Sequence, residues 1–132
     1  MRKLSASGLK KKADRLFSQY IRRFHADEGG TVSCVSCGKL MHWKESENGH
    51  YIKRGHLALR YDERTCAPQC TRCNRYMGGN QDEYAVYLVK KYGPGIIEEL
   101  HALKHQAVKW YTQDWRELVS RIEAKLQSLE GA

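Results

Sequence analysis

Two Cys-x-x-Cys pairs set far apart constrain this chain more than any other feature. Cys34 and Cys37 form the first, in Cys-Val-Ser-Cys-Gly-Lys, and Cys70 and Cys73 the second, in Cys-Thr-Arg-Cys-Asn. Four thiolates at this spacing predict one tetrahedral structural zinc. A metal closed on them brings together the two ends of the intervening segment. His50, in Gly49-His50-Tyr51-Ile52-Lys53-Arg54-Gly55-His56, can then neighbour Asn74, which lies 24 positions further on. A fifth cysteine, Cys66, is left over, either as a buried thiol or as a competitor for a zinc position. A disulfide framework would suit a secreted chain. The N-terminus is basic and has no apolar stretch of the secretory kind, so metal is the better reading.

At 132 residues the chain has room for one domain with a modest core, expected over 1–132. No apolar run reaches the roughly 18 residues that a membrane span requires, so a cytoplasmic protein without a membrane partner is expected. The formal net charge of +8 is unevenly placed. Residues 1–60 hold 13 Lys and Arg against 5 Asp and Glu, whereas residues 61–132 hold 10 of each. A face that meets phosphate would use that asymmetry. The plainer alternative is a solvated basic helix.

Apolar spacing predicts a helix over 9–26, with Ala13, Leu16, Phe17, Tyr20, Ile21 and Phe24 on one stripe. Lys10, Lys11, Lys12, Arg15, Arg22 and Arg23 fill much of the rest, and Glu28-Gly29-Gly30 ends it. A strand at Val32–Val35, a turn at Gly38 and a strand at Met41–Trp43 surround the first cysteine pair. Glu45–Gly49 reads as loop, and His50-Tyr51-Ile52 as a strand end presenting a histidine. Asn80 is placed to cap a helix from Gln81 to Lys91, with Glu83 at the capping-box position. After Gly93-Pro94-Gly95 come two amphipathic patterns, 95–110 and 113–129. They must cover the zinc module, pack on each other, or bury a face in a second subunit. The expected segments are therefore 9–26, 31–91 and 95–130, the last offering a dimer interface.

His50 is the first candidate for chemistry, since histidine can act as a general base near neutral pH. It could equally pack or touch phosphate. Asn74 could offer its amide oxygen to a hard cation, or cap a helix. His56 could serve zinc, the active site or phosphate. Lys53, Arg54, Arg60, Arg72 and Arg75 form a cluster suited to phosphate, with Arg60 and Arg75 nearest the chemistry. Tyr51, Tyr61 and Tyr76 interleave with them as candidates for sugar or base packing, or for core. His101 and His105 stand i, i+4 on the expected helix, a geometry that suits metal or surface packing.

The order and spacing of these residues resemble the lambdoid-phage NinG (Rap) recombination family, among the HNH or His-Me finger nucleases. The resemblance runs from the N-terminal helix through Cys34–Cys37, Gly49-His50-Tyr51 and Leu59-Arg60-Tyr61-Asp62-Glu63-Arg64. It continues through Gln69-Cys70-Thr71-Arg72-Cys73-Asn74 to Gly79-Asn80. Some members carry a further basic, cysteine-bearing N-terminal region, so this chain looks like a short form or the core domain.

The resemblance implies an α+β fold, a zinc-stapled ββα-metal core with an N-terminal helix and C-terminal amphipathic helices. It implies metal-dependent cutting of branched recombination intermediates such as Holliday junctions or D-loops, by a homodimer alongside phage or host recombination proteins. Carried over, His50 is the base and Thr65 falls at the orienting position. Asn74 holds a catalytic Mg²⁺ or Mn²⁺, with Glu47 or Asp62 completing its shell. Arg60 and Arg75 meet the scissile phosphate, and the four cysteines bind a separate zinc. Lys10, Lys11, Lys12, Arg22, Arg23, Lys53, Arg54, His56 and Arg72 are the expected DNA contacts. Thr65 stands where asparagine is expected and Ala67 where relatives carry histidine. The alternative is therefore a zinc-containing accessory protein that binds branched DNA with impaired catalysis or none.

Overall fold

The computed structural model describes residues 3–130. Its first helix, α1 (Ala6–Phe24), starts three residues before the position predicted from periodicity, because the Ser5 hydroxyl accepts the Gly8 N–H at 3.2 Å and caps it. Leu9, Ala13, Phe17, Tyr20 and Ile21 form its buried stripe. They pack on the last helix, α4 (Thr112–Glu130), through Trp115, Leu118, Val119, Ile122 and Leu126. The two helices run in the same direction. Lys10 lies over the Trp115 ring near their starts, and Arg23 pairs with Glu130 at 3.6 Å near their ends. The α4 stripe is thus covered by α1 within the chain.

Two short antiparallel strand pairs lie between these helices in sequence. Strand β1 (Thr31–Ser33) pairs with β2 (Leu40–His42), with Val32 opposite Met41. Strand β3 (Glu47–His50) pairs with β4 (Cys66–Gln69), with Glu47 opposite Gln69 and His50 opposite Cys66. Residues 47–49, expected as loop, are therefore strand, and β4 was not anticipated. Neither Glu-Asn-Gly-His nor Cys-Ala-Pro-Gln has strand propensity. All four β4 residues are buried, so packing overrides propensity.

Gly49 makes the close approach possible. A Cβ there would stand 2.0 Å from Oε1 of Gln69, whose fully buried side chain crosses the strand. That side chain is fixed by donating to the Ser36 hydroxyl at 2.9 Å and the Gly79 carbonyl at 2.7 Å.

Helices α2 (Gln81–Tyr92) and α3 (Ile96–Leu103) build a second core. Tyr84, Leu88, Ile96 and Leu100 close on Tyr51, Ile52, Leu59 and Ala67. The helix expected to reach 110 ends at Leu103, and Ala107 and Val108 are exposed. Trp110 explains the exit: it leaves the helix line to stack on Trp115 at 4.6 Å and on Tyr61 at 5.7 Å in the first core. A third, smaller core of Val32, Cys34, Met41, Cys70 and Cys73 lies at the cysteine pairs. The fold is thus mixed α and β with small antiparallel sheets. No helix of the described residues is long and apolar enough to cross a membrane.

Candidate functional site

The four paired cysteines meet where the sequence spacing placed them. Cys34 follows β1, Cys70 follows β4, and Cys73 lies in a single π-helical turn, Arg72–Tyr76. Their sulfurs lie within 4.8 Å of one another, and the Cys37 and Cys70 sulfurs are 3.7 Å apart. A tetrahedron with metal–sulfur bonds of about 2.3 Å has an edge of about 3.8 Å, whereas a disulfide needs about 2.05 Å. All five cysteines are free thiols.

Donors already point at the sulfurs. Cys73 N–H approaches the Cys70 sulfur at 3.4 Å, and the Asn80 amide approaches the Cys73 sulfur at 3.4 Å. Burial raises the Cys34 pKa, but backbone N–H groups of Cys37, Cys70 and Ser36 outweigh it and bring it to about 7. These four residues could hold a metal such as zinc. Asn80, expected to cap α2, is corrected here. Its backbone is left-handed at φ 42°, and its carboxamide faces sulfur instead. Cys66 is no competitor, since it is buried in the first core with its thiol toward the Arg60 carbonyl.

Beside the cysteines, Glu47 at the start of β3 faces the π-helical turn. Its carboxylate accepts the Asn74 amide at 2.8 Å, the Thr71 hydroxyl at 3.2 Å and Arg75 Nε at 2.9 Å. Burial would raise its pKa, but these partners hold it below the ordinary value. The two residues expected to ligate a catalytic cation are thus neighbours. Arg75, expected at phosphate, is committed to Glu47, although its side chain remains 68% exposed.

His50 ends β3, and its Nε2 bonds to the Arg60 carbonyl at 3.1 Å. That carbonyl replaces the orienting group expected at Thr65. The Thr65 hydroxyl is fully buried and accepts the Ile52 N–H at 2.9 Å. Ala67 is buried in the second core.

Arg60, expected at phosphate, has its guanidinium held by Asp14 of α1. Nε reaches Oδ1 at 3.0 Å, Nη2 reaches Oδ2 at 2.6 Å, and Nη1 reaches the Arg54 carbonyl at 3.0 Å. Arg54 and the Tyr61 hydroxyl donate to the same carboxylate. Burial would raise Asp14, yet the Arg60 and Tyr61 bonds keep its pKa low. No local motif singles out Asp14 in the sequence. The available signal was a lone carboxylate in the basic run Lys10–Arg23.

Two clefts meet at His50. One, about 390 Å³, is lined by His50, Lys53, His56, Asn74, His101 and Lys104 among others. The other, about 400 Å³, lies under α1 and is lined by Lys11, Asp14, Arg15, Asn48, His50, Arg54 and Tyr61 among others. His101 and His105 do not share a helix face. His101 approaches the Tyr51 hydroxyl at 3.5 Å, and His105, beyond α3, packs edge-on against His56.

Of the expected DNA contacts, Lys10, Lys11, Lys53, Arg54 and Arg72 are exposed, while Lys12 is half-buried and pairs with Glu123 at 3.7 Å. Arg22 is corrected to an internal clamp. It donates to the Ser18, Trp43 and Ser46 carbonyls and stacks on the Trp43 ring, on which Arg23 also lies. Tyr51 is core and Tyr61 serves Asp14, which leaves Tyr76, 81% exposed, as the available aromatic of the three.

Residues 2–131 match the family model for the bacteriophage lambda NinG protein. The chain belongs to the NinG family. Protein ninG of Salmonella phage P22 is 29% identical over 123 residues, which are 92% of this chain and 58% of that protein. The ninG proteins of Escherichia phages 933W and lambda are 28% and 27% identical over the same length, covering 58% and 57% of those proteins. The chain thus spans about 58% of the length of the curated relatives it matches. No solved structure matches it. The NinG match takes in all four clustered cysteines, both clefts, and the Asp14–Arg60–His50 connection.

Proposed function

We propose that this NinG protein is a metal-dependent endonuclease acting on branched DNA, with His50 as its general base. One observation carries the reading. His50 is held by a single ring nitrogen in the seam between two clefts, which bear Lys11, Arg15 and Arg54 on one side and Lys53 and Lys104 on the other. Burial, aided by the charges of Arg54 and Arg60, holds the His50 pKa below its ordinary value, so the ring is neutral near pH 7. Nε2 keeps its proton on the Arg60 carbonyl, and Nδ1 takes a proton from water attacking the phosphodiester.

The donor set beside it fits a hard cation that completes its shell with water and phosphate. Glu47 and Asn74 would hold Mg²⁺ or Mn²⁺, which supplies positive charge to the scissile phosphate and the departing 3′ oxygen. The β3–β4 hairpin followed by the π-helical turn supports a ββα-metal reading of this region. The four cysteines, with structural zinc, keep the turn that carries Asn74 against β3. Exposed Lys10, Lys11, Lys53, Arg54 and Arg72, with Tyr76, supply backbone contact and stacking. A junction needs two opposed cuts, which a symmetric dimer in the host cytoplasm would provide, working alongside phage or host recombination proteins.

Binding without cutting is the second reading. It is favoured by Glu47, whose carboxylate already takes three donors, and by a buried Thr65 that serves the backbone. A labelled four-way junction and a matched linear duplex, each with EDTA, Mg²⁺ or Mn²⁺, separate the two. The first reading expects metal-dependent junction products from the wild type and none from His50→Ala, with junction binding retained. Robust cutting by His50→Ala rejects His50 as base. Tight junction binding with no product in either metal selects the second reading.

A further inference from the structure

We infer that Asp14 is a positioning residue for His50, acting through the Arg60 segment; the inference rests on the proposed role of His50 as base. Four hydrogen bonds converge on the Asp14 carboxylate, and all come from residues 54–61. They are Arg54 Nη2 at 3.1 Å, Arg60 Nε at 3.0 Å, Arg60 Nη2 at 2.6 Å and the Tyr61 hydroxyl at 2.6 Å. The same segment presents the carbonyl that receives His50 Nε2.

Its backbone bonds are local, linking His56 to Lys53, Leu59 to His56 and Arg60 to Leu57. Such a loop does not by itself fix where a carbonyl points. Tethering from outside comes from the buried Leu59, from the Tyr61 ring, from the Cys66 thiol, which approaches the Arg60 carbonyl at 3.8 Å, and from Asp14, which alone holds the Arg60 side chain from another element. Each guanidinium nitrogen of Arg60 already bonds to the protein, Nε and Nη2 to Asp14 and Nη1 to the Arg54 carbonyl, which fixes the fork and leaves one N–H on each of Nη1 and Nη2. Its side chain is 11% exposed. The paired bonds of a guanidinium to a carboxylate fix direction as well as distance. Asp14 therefore sets the plane of Arg60, and through it the carbonyl that keeps the His50 proton on Nε2 and the Nδ1 lone pair free. A histidine's tautomer is set by the bond made at its other nitrogen.

Imidazole ¹⁵N spectra of the zinc-loaded full chain, with the His50 signals assigned using His50→Gln, test this directly. The wild type is expected to show a neutral His50 protonated on Nε2. Asp14→Asn keeps the shape but offers Arg60 an opposed amide, and it is expected to shift His50 toward a mixture of tautomers. Junction cutting in Mg²⁺ should fall roughly ten- to a hundredfold in kcat with KM little changed, and Asp14→Glu should recover part of it. Arg60→Met, which keeps the aliphatic stem without the fork, should give the same signature if Asp14→Asn does not fold. A wild-type His50 protonated on Nδ1 overturns the inference. So does an Asp14→Asn spectrum unchanged at His50. If His50→Ala still cuts, the base assignment fails, while the spectra judge the Asp14–His50 link on their own.

Discussion

Single residues in this protein act mainly through groups they shield from water. His25, just after α1, is held by burial and by the charge of Lys91 at a pKa of about 4. The unfolded chain therefore takes up this proton first as pH falls. The contribution to stability is complete above the ordinary histidine value of about 6.5 and is lost on the way down to about 4. Over that window the loss should be no more than about 3 kcal/mol. Urea midpoints at pH 7.5 and 5 should fall less for His25→Gln than for the wild type; equal falls would exclude this cause. Protonation of the cysteine site contributes equally to both proteins and cancels.

At the scale of elements, the β3–β4 hairpin is where sequence and structure part most. Helices α1 and α4 are legible because apolar residues recur at helical spacing over several turns, and α2 because Asn80 and Gly93-Pro94-Gly95 bracket it. Strands β3 and β4 are not, because their residues are strand-like only in the company of Gln69, Tyr84 and the cores on either side. Gly49 is the hinge of that arrangement. Gly49→Ala forces a methyl into the Gln69 side chain, which is tied to Ser36 and Gly79 and has little room to retreat. A loss of about 1–3 kcal/mol is expected, read as a lower urea midpoint at unchanged slope. The double variant Gly49→Ala with Gln69→Ala should lose less than the sum of the two, because the clash is then removed. Additive losses would show that the crossing side chain is not the cause.

For the whole molecule, the three cores are expected to answer separately to removal of metal, because the four clustered cysteines lie outside the first two. The cysteine quartet was the part of the candidate site most legible in sequence, because a tetrahedral metal demands spacing that survives in the linear order. Asp14 was not legible, because its partner Arg60 lies 46 positions away and nothing local requires the pair. A chelator is expected to remove one zinc per chain and lower the melting temperature on the order of 10 °C or more. Hydrogen-exchange protection should vanish across β1, β2 and the π-helical turn, while most of the helical signal from α1 and α4 persists. That core contains none of the four clustered cysteines. Uniform loss of protection in all helices would mean that the cores are one cooperative unit.

The parallel pairing of α1 with α4 also dictates an order of assembly. During synthesis the two cysteine pairs and both hairpins are complete well before α4 exists, so the metal module can close around residues already made. Until α4 emerges, the apolar stripe of the first helix is covered only in part, by Leu57, Tyr61 and Cys66. The α1–α4 packing is therefore available later than either hairpin, and the uncovered part of the α1 stripe is a surface open to wrong company in the meantime.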